Sequence, residues 1–368
     1  MIKILLDTNT LHENWLAEGE AFTFIGELVA SGTCEAFISE ITILEHVRHY
    51  EERAPKVELE FKSILASYSK LSTTPKKLAN VSLALCNTKT FDSRFRNRLQ
   101  ELGIQTLKIP AVPHDVLIAR DLAEKKPFLA TGKGYRDALT WLGFLAVLDE
   151  NTNNAIVVTN DANDYSGDDK SRLHPDLRVE IHHKNPKCED QRFASAQKLA
   201  DQFIKPLLKG LAEDAKKTEE ILEKIQDDKY KPFKLQDVVI EGLENFESQE
   251  AEGTFRGGSA PLEEPIWATM VDDPTDIEAT DLYKLSNGHY LCGGTAQVSA
   301  TVEGFLDKFE AFHQSDQGHV FVSEPNWNEH YAGVEVSNAP AVITFSFEFE
   351  DGNPEILKFE VTKVEGND

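Results

Sequence analysis

Apolar residues in the first half of the chain fall in short runs, separated by stretches of helical period. Ile2–Leu6 is one such run; it predicts a buried strand that ends in the polar turn Asp7-Thr8-Asn9. A helix follows, with Trp15, Phe22, Ile25, Leu28 and Val29 partly at helical spacing. Cys34–Ile38 predicts a second strand, Ser39 a helix cap, and Ile41, Leu44, Val47 and His49 the next helix. Residues 55–100 read as helical and highly charged, and Ile104–Ile109 as a third strand closed by Pro110 and Pro113. Helices are expected near residues 114–125 and 134–149, and strands at Ala155–Thr159 and Leu177–His182. Short apolar strands alternating with helices predict a parallel sheet with helices on both faces.

The period then changes. Residues 189–228 read as one or two helices, kinked at Pro206 and ending in a charged run from Glu219 to Asp228. Beyond residue 233 the apolar period is two: Phe345, Phe347 and Phe349 alternate with Thr344, Ser346, Glu348 and Glu350. Asp351-Gly352-Asn353 supplies a turn before Ile356–Val364, and Val298, Ala300 and Val302 show the same alternation earlier. Residues 244–265, rich in Glu, Gly, Ser and Pro, read as a long loop. There is no internal repeat. The expected organisation is an α/β domain over 1–188, a helical connector over 189–232 and a smaller antiparallel β-rich domain over 233–368.

Composition changes this picture in one respect. With 40% hydrophobic and 27% charged residues the 368-residue chain is that of an ordinary globular protein of two domains. The net charge of −25 looks hostile to nucleic acid, but residues 1–210 hold 27 basic and 29 acidic side chains, a net of only −2. The remaining −23 belongs to residues 211–368, an asymmetry that predicts different jobs or partners for the two halves. No apolar run approaches the roughly 20 residues that span a bilayer. The start, Met1–Leu6, lacks the length and cleavage site of a signal peptide. Cys34, Cys86, Cys188 and Cys292 are scattered without a CxxC pair, which suits a reducing cytoplasm and offers no zinc framework. A cytoplasmic protein is expected.

Functional groups of open parallel sheets gather outside the carboxyl ends of the strands. Asp7 follows the first strand, and Asp161 follows Ala155–Thr159 within Thr159-Asn160-Asp161-Ala162-Asn163-Asp164. Glu45 lies early in the helix after the second strand, and Asp137 opens an amphipathic helix in Lys133-Gly134-Tyr135-Arg136-Asp137. Carboxylates sharing a cleft raise one another's pKa, a cost that a divalent cation relieves; oxygen-only ligands select Mg²⁺ or Mn²⁺.

These segments resemble the PIN-domain nuclease family, in particular larger bacterial PIN-like proteins with an added C-terminal β domain. LLDTNTL is similar to that family's first strand and leading Asp, and FISEITILEHV to its second strand and Glu-bearing helix. KGYRDALTW resembles its third-acid helix, and IVVTNDANDY the strand that carries the fourth acid. The resemblance covers about residues 1–185 and implies a PIN-like (Rossmann-like) fold. It implies that Asp7, Glu45, Asp137 and Asp161 bind the metal, with Asp164 as an outer ligand. Thr8 and Asn9, or Thr159 and Asn160, would brace the carboxylates. The implied reaction is phosphodiester hydrolysis by metal-activated water, leaving 5′-phosphate and 3′-hydroxyl ends. A toxin-like or phage-defence endoribonuclease is the leading expectation. A single-stranded or structure-specific DNA nuclease is the alternative, as is an inactive PIN fold that binds nucleic acid or protein.

A net-basic stretch holds Lys89, Arg94, Arg96, Arg98, Lys108, Arg120, Lys125, Lys126, Lys133 and Arg136. Lys133 and Arg136, beside Asp137, are the first candidates for phosphate contacts, and Arg94 and Arg98 share a helix face. Each candidate has a plainer reading. Glu40 competes with Glu45 for the second acid position, although a helix-start role is natural for it. Asp164 fits an Asx turn, and the arginines fit a solvated, salt-bridged face. His46 and His49 lack the HExxH arrangement and are expected at the surface; His182 and His183 are expected on opposite faces of a strand. Gly132-Lys133 lacks full phosphate-loop spacing. Trp267, Trp327, His330 and Tyr331 offer stacking surfaces, but aromatic residues of a β domain are expected in its core. The acidic domain is expected either to dock on the nuclease and restrain it or to bind a protein partner.

Overall fold

In the computed structural model, which describes residues 1–11, 14–71, 85–211, 215–246, 248–324 and 327–366, the chain divides into two units, Met1–Leu208 and Lys209–Asp368. Part of the helical reading of 55–100 lies outside the described residues.

The first unit is built on a five-stranded sheet of order β3-β2-β1-β4-β5, every neighbouring pair parallel. Its strands are β1 (Ile2–Leu6), β2 (Cys34–Ser39), β3 (Gln105–Leu107), β4 (Asn154–Val158) and β5 (Glu189–Phe193). Side chains alternate across a strand, so Leu5, Phe37 and Val157 enter a core with Trp141, Phe144, Leu177 and Ile181. Trp141 and Phe144 come from α5 (Tyr135–Val147), Leu177 and Ile181 from α7 (Pro175–Lys184). Ile4, Leu6, Ile38 and Val158 point the other way and are equally buried. The remaining α-helices are α1 (Glu20–Ala30), α2 (Glu40–Leu71), α3 (Thr88–Glu101), α4 (His114–Leu122), α6 (Ala162–Tyr165), α8 (Ala196–Leu199) and α9 (Lys205–Leu211), and a 3₁₀ turn, Thr8–Leu11, follows β1. A π-helical turn, Ala200–Ile204, joins α8 to α9 just ahead of Pro206, whose missing N–H breaks the regular ladder there. The order reverses direction between β1 and β4, and at such a switch point the strand ends frame a crevice.

Two expectations fail here. Leu177–His182 is helical, inside α7, because Pro175 stands at its first turn and His174 accepts a hydrogen bond from Asp176 N (3.2 Å). His182 and His183 therefore sit in the last turn of a helix. The fifth strand is instead Glu189–Phe193, whose Asp190 is buried against Arg172 and Arg178 (both 2.9 Å). The connector expected from residue 189 thus opens with a strand of the first sheet.

The second unit carries helices α10 (Ala215–Gln226), α11 (Leu235–Leu243) and α12 (Lys308–Asp316) on a largely antiparallel sheet. Its long strands are β9 (Glu263–Lys284), β10 (Tyr290–Asp307) and β12 (Tyr331–Phe349). Shorter ones are β6 (Gln249–Ala251), β11 (Phe321–Glu324) and β13 (Ile356–Gly366), and β7 (Arg256–Gly257) pairs β8 (Ala260–Pro261) separately. The order is β11-β12-β10-β9-β6 with β13 also on β12. Glu252, just past β6, exchanges hydrogen bonds with β13 (Glu252 N to Val364 O and Gly366 N to Glu252 O, both 2.9 Å), which curls the sheet back on itself. Phe345, Phe347 and Phe349 fill the interior with Val239, Tyr290 and Val302, as their alternation predicts. Helix α11 approaches through Gly242, where a Cβ would lie 2.4 Å from the Phe359 ring. The loop expected over 244–265 contains β6, β7, β8 and the start of β9; its Gly and Pro residues serve tight turns between short strands. Among the described residues no helix is long and apolar enough to cross a membrane.

Candidate active site

Asp7 leaves the end of β1 and is only 8% exposed. Its Oδ1 accepts from Thr8 N (2.8 Å) and its Oδ2 from Thr159 Oγ1 (2.7 Å), which joins β1 to β4. Thr159 Oγ1 in turn accepts from Asn9 Nδ2 (3.2 Å) and Asp161 N (3.0 Å), while Asn9 Oδ1 accepts from Asn160 N (3.0 Å). The sequences Asp-Thr-Asn at 7–9 and Thr-Asn-Asp at 159–161 therefore lace together across the switch point. Burial pushes the Asp7 carboxyl up to about 6; the Thr159 and Thr8 hydrogen bonds oppose this, and the charges of Asp137 and Glu45 add to it.

The other acids arrive from three elements. Asp137 lies in the first turn of α5, which starts at Gly134 with φ 106°. A Cβ at Gly134 would sit 2.4 Å from Pro127 O, so glycine alone lets this helix begin where it does. Burial raises the Asp137 carboxyl, with the charges of Glu45 and Asp161 adding to it. Glu45 is on α2, started by Ser39, whose Oγ accepts from Ile41 N (3.1 Å). Glu45 Oε2 accepts from Thr8 Oγ1 (2.9 Å), and its Oε1 pairs with Arg136. Asp161 caps α6, its Oδ1 accepting from Asn163 N (3.0 Å) and Asp164 N (3.2 Å). Asp164 is buried, and burial, then Asp161 and Asp137, push it up to about 7 against the pull of Lys126. Its Oδ1 has no hydrogen-bond partner.

The five carboxylates thus lie within one another's fields, all oxygen donors, with one orphaned buried oxygen among them. That donor set suits a hard divalent ion. Among the described residues, however, no three acidic, His or Cys side chains are posed as a ready metal cage. Glu45 is drawn to Thr8 and Arg136, and Asp161 to the amides of α6.

Tyr165 was not singled out by the sequence. Its hydroxyl is fully buried without a partner, and burial followed by the charges of Asp7, Asp137, Asp164 and Asp161 raises its pKa. It lies within the field of these four acids. Only its place after the Asp161 motif offered a clue.

Several neighbours have other duties. Glu40 is held by Arg96 (2.7 Å), which also binds Asp92 (2.8 Å), so Glu40 is engaged away from Glu45's position. Arg120 and Lys125 both pair with Glu180 (2.6 and 2.7 Å), which Trp141 Nε1 also reaches (2.7 Å); these two cations serve the scaffold. His46, expected at the surface, is fully buried: its Nε2 meets Trp15 O (2.9 Å) and its ring stacks on Trp15 (5.0 Å) beside Phe91 and Phe95. Lys133 and Arg94 are exposed. Arg136 is 57% exposed although paired with Glu45. Arg98 is half-buried, donating to Ala17 O (3.1 Å) and pairing with Glu101 (3.2 Å). Lys126 Nζ donates to Asn163 O (2.7 Å), next to Asp164.

Residues 4–165 match the family model described as PIN domain. The chain carries a PIN domain. The match begins in β1 and ends at Tyr165, so it spans Asp7, Glu45, Asp137 and Asp161. A search of curated proteins and a search of solved structures each gave no significant match. The PIN domain supports a nuclease, a hydrolase acting on nucleic acid, from a family that generally uses divalent metals.

Proposed function

We propose that this PIN domain is a Mg²⁺- or Mn²⁺-dependent endoribonuclease, with Asp7, Glu45, Asp137 and Asp161 as the metal-binding acids and Asp164 assisting. The observation that carries the reading is the raised Asp7 carboxyl, whose burial is aggravated by the charges of Asp137 and Glu45. A buried carboxylate facing like charges is costly unless a cation joins it. When bound, the ion would supply activated water and stabilise the leaving oxygen. Thr159 and Thr8 hold Asp7 in one orientation through both its oxygens. Lys133 and Arg94, exposed near the acids or on the basic helix α3, would bind phosphates, helped by Arg136 and Arg98. Asn9 and Asn160 tie the two strand ends, fixing the spacing of Asp7 and Asp161. The choice of RNA and a toxin-like or phage-defence role rest on the family resemblance, and a cytoplasmic location on the scattered, unpaired cysteines.

The test is cleavage of end-labelled RNA and matched single-stranded DNA by wild type and Asp7→Asn, with Mg²⁺, Mn²⁺ or chelator. Metal-stimulated RNA cutting that Asp7→Asn lowers at least about a hundredfold supports the reading. Cutting of DNA alone would replace the substrate. RNA binding without metal-stimulated cleavage would make the domain a binding module.

A further inference from the structure

The outward face of the second unit's sheet shows a pattern that the nuclease reading leaves unused. On β10 the even-numbered residues from Ala296 to Leu306 are buried, and Gln297, Glu303 and Asp307 on the alternate face are exposed. Directly paired residues of an antiparallel sheet share a face. One row across five strands therefore reads Glu250, Trp267, Glu303, Glu335, Phe321. The next reads Glu263, Phe305, Gly333, Glu324, and beyond it Asp307 stands beside Tyr331. Trp327 packs its ring on Phe305 at 4.7 Å.

Acids and aromatic rings are thus interspersed on one face, with no Lys or Arg in these rows. Trp267 is 44%, Trp327 54% and Phe321 66% exposed. Among the described residues no Lys or Arg forms a salt bridge with Glu250, Glu263, Glu303 or Glu335. Large rings left in water beside unneutralised carboxylates mark a surface awaiting a partner.

We propose that this face docks an extended Lys/Arg-rich segment of a partner protein. Rings receive ammonium and guanidinium groups through their negative faces, and the interleaved carboxylates pair with the same cations. The net of −23 over residues 211–368 attracts a basic segment and repels nucleic acid. A second copy of this face would bring carboxylates against carboxylates, which disfavours self-association. Five strands about 4.8 Å apart make a row of roughly 19 Å, which about six extended residues span.

The experiment is fluorescence anisotropy of the full chain with a labelled peptide of alternating Arg and Gly, against an isosteric Gln–Gly peptide. Trp267→Ala should weaken the Arg peptide about fivefold, and Glu303→Gln with Glu335→Gln about tenfold or more. The charge-matched pair Asp272→Asn with Glu278→Gln, on the same sheet face but its far end, should leave binding within about twofold. These residues are exposed or half-exposed, and circular dichroism would check that each variant is folded. Equal weakening by the control pair would show a diffuse charge effect and overturn the proposal. So would indifference to Trp267→Ala, absence of Arg-peptide binding, or sedimentation showing that the face joins two copies. None of these outcomes depends on nuclease activity.

Discussion

Asp7 holds its proton up to about pH 6, well above the ordinary carboxylate value of 3.8, because it is buried among other acids. Folding therefore takes up a proton between those values, so ionised Asp7 detracts from stability above pH 6 and has no such effect below about pH 4. Asp164, raised to about 7, acts in the same sense. In metal-free buffer Asp7→Asn should raise stability at pH 8 by about 1–2 kcal/mol and leave it nearly unchanged at pH 4. Chemical denaturation at the two pH values measures this; equal effects at both would mean that Asp7 is not the burdened group. Thr159→Val keeps the side chain's shape and removes the hydroxyl that donates to Asp7 Oδ2. Its expected effect is a metal affinity lowered about tenfold, read by Mn²⁺ titration, with an otherwise unaltered fold. The positions of Asp7 and Asp161 just past strand ends are legible in the sequence because each follows a short apolar run bounded by polar turn residues. The hydroxyl of Tyr165 and the buried ring of His46 are not, since their surroundings are assembled from segments far apart in the chain.

Among the elements, α5 owes its position to one residue. Gly134→Ala forces a side chain into a backbone of φ 106° and against Pro127 O. A loss of about 1–3 kcal/mol is expected, with lowered cleavage as Asp137 shifts. Thermal unfolding and single-turnover rates of this variant provide the check; an unchanged melting temperature would remove the argument. The misread elements have a common cause. Leu177-Arg-Val-Glu-Ile alternates like a strand, but the proline and capping histidine before it decide for helix. Glu189–Phe193 reads as the start of a helical connector, yet it is a strand whose Asp190 is buried because two arginines neutralise it. Local pattern carries period and caps; it does not carry ion pairs made with other elements. In the second unit the phenylalanine alternation was legible, whereas Trp267, Trp327 and Tyr331, expected in the core, lie on the outer face. Hydrophobicity alone does not tell a core ring from a recognition ring.

At the scale of the molecule, charge is divided unevenly between the two units. The first unit is near neutral and holds the acidic site with cations close by, while the second carries almost all of the −25. A fragment of residues 1–208 should bind RNA more tightly than the full chain at low salt, and the difference should shrink above about 0.3 M salt as repulsion is screened. Filter binding at both ionic strengths tests it; weaker binding by the fragment would mean that the second unit contributes to RNA recognition. Everything functional in the first unit depends on whether its carboxylates hold a cation together. Electron paramagnetic resonance of Mn²⁺ added to wild type and to Asp7→Asn at pH 8 reads this directly. Wild type should bind Mn²⁺ and release it as the pH falls through 7 and 6, and the variant should hold it at least tenfold more weakly. Equal Mn²⁺ binding by the two proteins, or none by either, would contradict it.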